Sequence, residues 1–192
     1  MDKGTRDLFE VSLSETQSRV LASTPSGISI ELVERLGESE YGKIVKISET
    51  LSNHFGENVK FNRSSIRKYF NYPKTQPFVI RFKDDIEGFI IGVPLEHFAK
   101  ESWVRCDENL GKGNTMYTYA YVVKKDFRHL SIAKMLKRVY QNTLRRKGYK
   151  YITGHVMEGV TLHFTKKSHV VRKFNDWNST GYTFEYYRCP LK

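Results

Sequence analysis

The pattern of hydrophobic and polar positions gives its strongest strand prediction over residues 115–123. The stretch is rich in aromatic and β-branched residues, which predicts a β-strand with two distinct faces. One predicted face carries Tyr117, Tyr119, Tyr121 and Val123, and the other carries Met116, Thr118, Ala120 and Val122.

A helical pattern follows over residues 131–147. Its apolar positions recur every three or four residues and line one face, whereas lysine, arginine and glutamine line the other. The apolar face carries Ile132, Met135, Leu136, Val139 and Tyr140. Gly148 stands where a left-handed C-cap is expected. Residues 149–156 then predict a strand, so the strand–helix–strand unit implies a parallel pair of strands.

Shorter patterns complete an α/β chain. Strands are predicted at 28–33, 77–82, 86–93 and 182–189, and helices at 38–55, from Ser64 or Ser65 to the Tyr72-Pro73 break, and at 159–173. The strands at 77–82 and 86–93 flank a short polar turn, which predicts an antiparallel hairpin. No internal repeat or low-complexity segment interrupts the order.

The first 26 residues differ in character from the rest. They are rich in Ser, Thr and Glu and close on the turn signal Thr24-Pro25-Ser26-Gly27. We interpret residues 1–26 as an N-terminal arm, in which residues 8–22 could form a short helix. Residues 27–192 then form one domain.

Composition fits a globular protein with a real core. The 192 residues are 39% hydrophobic and include 12 Phe, 12 Tyr and 2 Trp. No apolar run approaches the ~20 residues of a membrane-spanning helix, and the N-terminus carries no apolar signal core. We therefore expect a cytoplasmic protein without a membrane partner. Two cysteines form no disulfide framework.

The chain is strongly basic, with 32 Lys and Arg against 21 Asp and Glu, a net charge of +11. Such an excess fits nucleic acid or a highly anionic small ligand, and it also serves solubility. Arg145-Arg146-Lys147 is the densest basic cluster. No nucleic-acid-binding motif accompanies it, so nucleic acid stays an open partner without support from a motif.

The junction between the best strand and the best helix predicts an anion site. Backbone N–H groups in a first helical turn lack intrahelical partners and lie at the positive end of the helix dipole. A polar turn leading into that end therefore favours a phosphate or pyrophosphate. Arg128 and His129 could add charge there, and Ser131 a hydroxyl.

The same junction resembles a known signature. Arg128-His129-Leu130-Ser131-Ile132-Ala133 is similar to the acetyl-CoA signature of the GNAT superfamily, Arg/Gln-x-x-Gly-x-Gly/Ala. The element order from Ile28 to Cys189 is similar too, and Trp177-Asn178-Ser179-Thr180-Gly181-Tyr182 resembles the family's Tyr-x-x-x-Gly-Phe. The resemblance implies a GNAT-like mixed, largely antiparallel central sheet flanked by helices.

The resemblance also implies an activity and a cofactor site. It implies an N-acetyltransferase that uses acetyl-CoA as co-substrate and a primary amine as acceptor, by direct attack. The six signature residues 128–133 would bind the pyrophosphate. The main chain of Tyr121, Val122 and Val123 would pair with the pantetheine arm, and an N–H near Val123 would stabilise the oxyanion.

Three residues are candidates for proton transfer. Glu87 lies early in a strand that would border the cleft, although a solvated strand-end carboxylate is the more economical interpretation. His155 ends a strand beside the expected acyl group and could relay a proton, or could be a hydrogen-bonded histidine of the sheet edge. Tyr182, with Tyr186 and Tyr187 as alternatives, could reach the leaving sulfur.

Two residues depart from the family pattern. Ser131 replaces the usual glycine; serine tolerates the helical conformation, but its side chain narrows the approach to the pyrophosphate. Trp177 replaces a tyrosine that could protonate the thiolate, and an indole cannot act as that acid. A metal site is rejected, because His155, His163 and His169 match no familiar zinc spacing.

These departures and the +11 charge keep a second interpretation open, a non-catalytic GNAT-like module that binds nucleic acid or a protein. The resemblance also allows a homodimer through the last strands. The acceptor stays open among a polyamine, an aminoglycoside, an amino acid and a protein lysine. The segments 38–72 and 94–114 are expected to shape its pocket.

Overall fold

The computed structural model describes residues 14–55, 59–128 and 131–191, which form an eight-stranded sheet with helices on both faces. The strands are β1 (Gln17–Ser23), β2 (Ile28–Arg35), β3 (Gln76–Phe82), β4 (Asp85–Pro94), β5 (Thr115–Val123), β6 (Tyr151–Met157), β7 (His169–Phe174) and β8 (Phe184–Pro190). The longer helices are α1 (Tyr41–Phe55), α2 (Arg63–Phe70) and α3 (Ile132–Arg146), and a single α-helical turn at Lys125–Arg128 follows β5. The predicted mixed α/β class is confirmed.

The sheet order is β1-β2-β3-β4-β5-β6-β8-β7. Neighbouring strands run antiparallel except β5 and β6, which are parallel and connected through α3. The predicted hairpin of β3 and β4 and the predicted parallel pair are both confirmed.

Two apolar layers cover the sheet. Helices α1 and α2 pack on one face, where Ile44 and Ile66 lie against Phe89 of β4. Helix α3 packs on the other, where Leu136 lies against Phe78 of β3. No helix in the described ranges is long and apolar enough to cross a membrane.

Local signals set the helix ends. Helix α2 is capped by Asn62, whose side chain accepts a hydrogen bond from the Ser65 amide while the Ser65 hydroxyl accepts from the Asn62 amide. This capping box starts the helix at Arg63, slightly before the predicted Ser64 or Ser65. Gly148 follows α3 with φ of 87°, which confirms the predicted left-handed C-cap.

Two predicted helices are wrong within the described residues. Residues 17–23 form β1, which pairs antiparallel with β2, so this part of the predicted arm is an edge strand of the sheet. Residues 8–13 of that predicted helix lie outside the described residues. The helix predicted at 159–173 is also wrong: a 3-10 turn at Val160–His163 is followed by β7. The outward positions of β7 have few apolar residues, so the pattern of this stretch did not reveal a strand.

A β-bulge in β5 changes which side chains share a face. Ile91 of β4 pairs with Ala120, but the next residue, Gly92, pairs with Thr118, so Tyr119 is an extra residue on β5. An extra residue reverses the alternation beyond it. The predicted four-residue face is therefore wrong. Tyr117, Tyr119, Ala120 and Val122 pack towards α1 and α2, whereas Met116, Thr118, Tyr121 and Val123 lie towards α3.

Candidate active site

A cleft opens where β5 and β6 diverge. Within the described chain these strands pair only over Thr115–Tyr117 and Tyr151–Thr153, although both continue for several residues. The cleft has a volume of about 780 Å³ and extends to both faces of the sheet. Because the strands separate, main-chain groups of β5 beyond Tyr117 that face β6 have no strand partner there.

The α3 side of the cleft is lined by residues from both the predicted polar face and the predicted apolar face of the helix. Lys137, Tyr140 and Gln141 line it. The Lys137 ammonium lies 4.1 Å from the ring centroid of Phe164, and burial lowers the pKa of this lysine. The Tyr140 hydroxyl lies 3.2 Å from the Thr118 hydroxyl across the cleft wall.

Hydrogen bonds join the end of β5 to the start of α3. The Arg128 Nε donates to the Val123 carbonyl at 2.8 Å, and the Tyr121 hydroxyl donates to the Ala133 carbonyl at 2.6 Å. Burial raises the pKa of Tyr121 to about 12, so this phenol remains a donor. These bonds connect β5 with Arg128 and with the first turn of α3.

The other predicted cofactor-binding residues differ in position. Val122 and Val123 are buried within the sheet, and Ile132 is buried in the first turn of α3. Their side chains therefore belong to the core, and only their main-chain groups could contact a ligand. Tyr121 lines the cleft directly. His129 and Leu130 lie outside the described residues.

Ser131 adopts the left-handed conformation, with φ of 59° and ψ of 2°. The expected helical conformation is therefore wrong at this residue. Glycine enters the left-handed region without a steric penalty, which explains physically why the signature favours glycine at this position. The Ser131 side chain is exposed at the helix start.

His155 is the only one of the three predicted catalytic residues that lines the cleft. Its Nδ1 lies 2.9 Å from the Tyr117 hydroxyl, and its buried Nε2 has no hydrogen-bond partner among the described residues. Burial lowers the pKa of His155 to about 3. The imidazole is therefore neutral at physiological pH, with one ring nitrogen left for a further partner.

Glu87 and Tyr182 lie elsewhere. The Glu87 carboxylate forms an ion pair with the Lys124 ammonium at 2.8 Å. The main-chain carbonyl of Glu87 also accepts a hydrogen bond from the Lys124 amide at 2.8 Å. This carboxylate braces the turn after β5 and does not line the cleft. The Tyr182 side chain is 54% exposed and also lies outside the cleft lining.

The opposite side of the cleft is an aromatic wall that the sequence pattern did not predict. Its members share the α1/α2 face of the sheet and are mostly in ring contact with one another. We call this set the aromatic box: Phe61, Phe98, Trp103, Tyr117, Tyr119 and Trp177. The sequence feature that could have revealed this wall is the number of aromatic residues in the segments expected to shape the pocket.

A buried ion pair holds the segment that carries Trp103. Asp107 accepts hydrogen bonds at 2.7 Å from the Arg188 guanidinium and at 2.7 Å from the Tyr186 hydroxyl, both on β8. Asp107 and Arg188 are buried. Because breaking a buried pair is costly, Trp103 is held as a fixed wall.

The sequence and the fold match those of known acetyltransferases. The sequence model of the GNAT acetyltransferase family matches residues 45–164, more than half of the chain, and the chain belongs to this family. No curated protein sequence matches the chain significantly.

Solved structures share the fold at low sequence identity. A GNAT-family protein from Desulfovibrio desulfuricans superposes with a TM-score of 0.64 at 10% identity, covering 86% of this chain and 99% of that one. The ribosomal-protein-S18-alanine N-acetyltransferase of Escherichia coli gives 0.60 at 9% identity, with 86% and 94% covered. The aminoglycoside 6'-N-acetyltransferase of Enterococcus faecium gives 0.59 at 9% identity, with 85% and 97% covered. At such identity the likeness defines the fold, and the acceptors named for these proteins differ.

Proposed function

We propose that this protein is an N-acetyltransferase that moves the acetyl group of acetyl-CoA to a primary amine by direct attack. The observation that carries the proposal is the divergence of β5 and β6, which opens a cleft along the strand that leads into the signature segment. Unpaired main chain of β5, the middle of α3 and a neutral histidine surround this cleft.

The residues present fit acetyl-CoA. The main chain of β5 beyond Tyr117 offers hydrogen bonds to the amide groups of the pantetheine arm. The start of α3, preceded by Arg128 and Ser131, offers N–H groups and a positive dipole end to the pyrophosphate. Basic side chains on the exposed face of α3, including Lys134 and Arg138, add favourable charge.

The cleft favours a neutral amine nucleophile. Burial disfavours charged groups, as the lowered pKa of His155 illustrates, and it lowers the pKa of a bound ammonium in the same way. The neutral nitrogen attacks the thioester carbon and the C–S bond breaks. We assign to His155 the role of orienting the amine or passing its proton to water, and the absence of a partner for its buried Nε2 within the described residues supports this role.

Departure of the thiolate does not require tyrosine at position 177. A thiol has a pKa of about 8.5, so its anion leaves far more readily than an alkoxide or an amide anion. Water can then protonate it. Trp177 accordingly serves as a wall of the cleft, which agrees with its stacked contact on His155.

Calorimetric titration with acetyl-CoA, followed by mass-spectrometric detection of acetylated amines, tests the proposal. We expect saturable binding to the wild type, loss of binding in Arg128→Glu, and amine-dependent formation of free CoA. Binding without transfer to any amine would overturn the enzymatic proposal and favour the non-catalytic module. Absence of binding would overturn the cofactor site itself.

A further inference from the structure

The acceptor side of the cleft carries almost no charge. Burial raises the pKa of Tyr117 and Tyr119 in the aromatic box well above the usual value, so both phenols stay neutral. His155 beside them is neutral too. The carboxylates that line the cleft are Glu101 and Asp176, and both are exposed residues at its margin.

Neither carboxylate belongs to a buried residue, so neither offers a desolvated anion in the interior of the cleft. The Asp176 carboxylate accepts a hydrogen bond from the Gly181 amide at 2.7 Å and thereby closes its own turn. A polyamine or an aminoglycoside carries several ammonium groups, and each buried charge requires a paired anion or strong hydrogen bonds. The aromatic box supplies neither for several charges at once.

The rings of the box line the cleft with apolar side chains instead, of which Trp103, Tyr119 and Trp177 are half-buried and the other three are buried. Phe98 and Tyr117 meet edge-on with centroids 4.9 Å apart, and Trp103 lies 5.1 Å from Tyr117. Trp103 and Trp177 meet edge-on at 6.1 Å across the same region. An aromatic ring gains most from such surroundings, because edge-to-face and offset contacts add to the burial of its area.

We propose that the acceptor is a small primary amine that carries an aromatic ring, an arylalkylamine, with its ring in the aromatic box and its nitrogen at the β5 side of His155. This inference rests on the proposed function and specifies its substrate class. The fixed position of Trp103, held through Asp107 and Arg188, makes the box preformed, so little ordering of protein opposes ring binding.

A matched amine series tests the substrate class. With saturating acetyl-CoA, kcat/KM is measured for 2-phenylethylamine, n-butylamine and spermidine. We expect 2-phenylethylamine to exceed n-butylamine by roughly 10- to 100-fold, since apolar pockets discriminate on this scale. Trp103→Leu should lower this ratio of kcat/KM values about tenfold, and the milder Trp103→Phe should lower it less.

Tyr72→Leu is the control, because Tyr72 is an exposed aromatic residue that does not line the cleft. It should leave the ratio unchanged. Equal or better use of n-butylamine or spermidine would overturn the inference while the proposed N-acetyltransferase stands.

If no amine is acetylated, the proposed function fails and binding decides the inference separately. Equilibrium dialysis of 2-phenylethylamine with the full chain and CoA then gives the answer. Saturable binding that weakens in Trp103→Leu, but not in Tyr72→Leu, would support the aromatic amine site. Binding that is absent, or equal in both variants, would overturn it.

Discussion

The imidazole of His155 lies flat on the indole of Trp177, with ring centroids 3.8 Å apart and ring planes 18° from parallel. His155 belongs to β6, whereas Trp177 belongs to the turn before β8. Asp176, Asn178 and Ser179 in that turn all have positive φ, between 50° and 56°. Strained backbone of this kind persists where the surroundings hold it, so the turn fixes Trp177 against the histidine.

This stack predicts how substitutions at Trp177 affect catalysis. Trp177→Phe keeps an aromatic ring against His155 and should retain kcat within about threefold, whereas Trp177→Ala should lower it about tenfold or more, because a small misplacement of a catalytic group is costly. Acetylated product is measured at saturating acetyl-CoA, with circular dichroism as the folding control. Equal loss in both variants would show that the indole N–H, and not the ring face, is required.

The pKa of His155 predicts the pH dependence of activity. Because burial lowers this pKa to about 3, the imidazole does not titrate between pH 5.5 and 9.5. The value of kcat/KM should rise with pH until the amine itself is deprotonated, with no inflection near 6.5. Profiles for two amines of different pKa check this. An inflection near 6.5 that disappears in His155→Gln would contradict it.

The same pKa predicts a stability effect with a definite sign. The folded value lies below the unfolded value of 6.5, so between them the unfolded chain binds more protons. The contribution of His155 to stability is therefore complete above pH 6.5 and is lost as the pH falls towards 3. Urea unfolding of the wild type and His155→Gln at pH 7.5 and 5.0 measures it: the wild type should lose more stability than the variant.

Ser131 tests the signature turn. Ser131→Gly removes a side chain from a left-handed residue and should preserve acetyl-CoA binding, with stability equal or higher by up to about 1 kcal/mol. Ser131→Glu places a negative charge at the start of α3 and should abolish binding. Calorimetric titration measures both. Ser64→Glu, an exposed serine in the first turn of α2, is the matched control and should bind normally.

Unchanged binding in Ser131→Glu would contradict placement of the pyrophosphate at this turn. Loss of binding in Ser64→Glu would show instead that added charge acts non-specifically. The two variants carry the same change at the start of two helices, so their difference isolates the position.

Arg81 connects three parts of the fold. Its guanidinium pairs with Glu31 of β2 at 3.2 Å and with Glu40 at 2.8 Å, and all three side chains are largely buried. Ser18 of β1 and Thr16 donate to the same carboxylates. The cluster therefore ties the edge strand and the start of α1 to the sheet.

Arg81→Met should lower the free energy of unfolding by about 3 kcal/mol, because it leaves two buried carboxylates without their partner. Arg67→Met removes an exposed pair with Glu38 and should lower the free energy of unfolding far less, because solvent screens the pair. The midpoints of urea unfolding compare them. Similar losses in the two variants would contradict the role of the buried cluster.

This cluster also predicts acid sensitivity. Burial would raise the pKa values of Glu31 and Glu40, but hydrogen bonds and ion pairs from Arg81, Ser18 and Thr16 outweigh it and lower both. Their contribution to stability is therefore present above the unfolded value of about 4.5 and is lost as the pH falls below it. The decline between pH 5 and 3 should be shallower in Arg81→Met.

Several elements follow from the sequence because their signals are local. The strand at 115–123 and the helix after it were predicted within one residue, since apolar spacing sets secondary structure directly. The signature Arg128-to-Ala133 and the C-cap at Gly148 are likewise local. Strand β1 was missed because its exposed residues show no alternation, and pairing with β2 determines it.

The candidate site was only partly predictable. His155 was predicted to lie beside the expected acyl group because it ends a strand, and the structure shows that it lines the cleft. For Glu87, the sequence could not distinguish a proton-transfer group from a structural carboxylate, and its ion pair with Lys124 favours the structural role. The bulge at Tyr119 was also invisible, because an extra residue on a strand is defined by its partner.

The sequence by itself thus determined the helices and strands between Ile28 and Met157, the signature at residues 128–133 and the family. Only the tertiary structure decided the shape of the site. The cleft exists because β5 and β6 diverge after three paired residues, and the aromatic box forms because Phe61, Trp103 and Trp177 meet from distant segments. Local spacing encodes helices and strands, whereas a cleft depends on long-range packing that no single segment specifies.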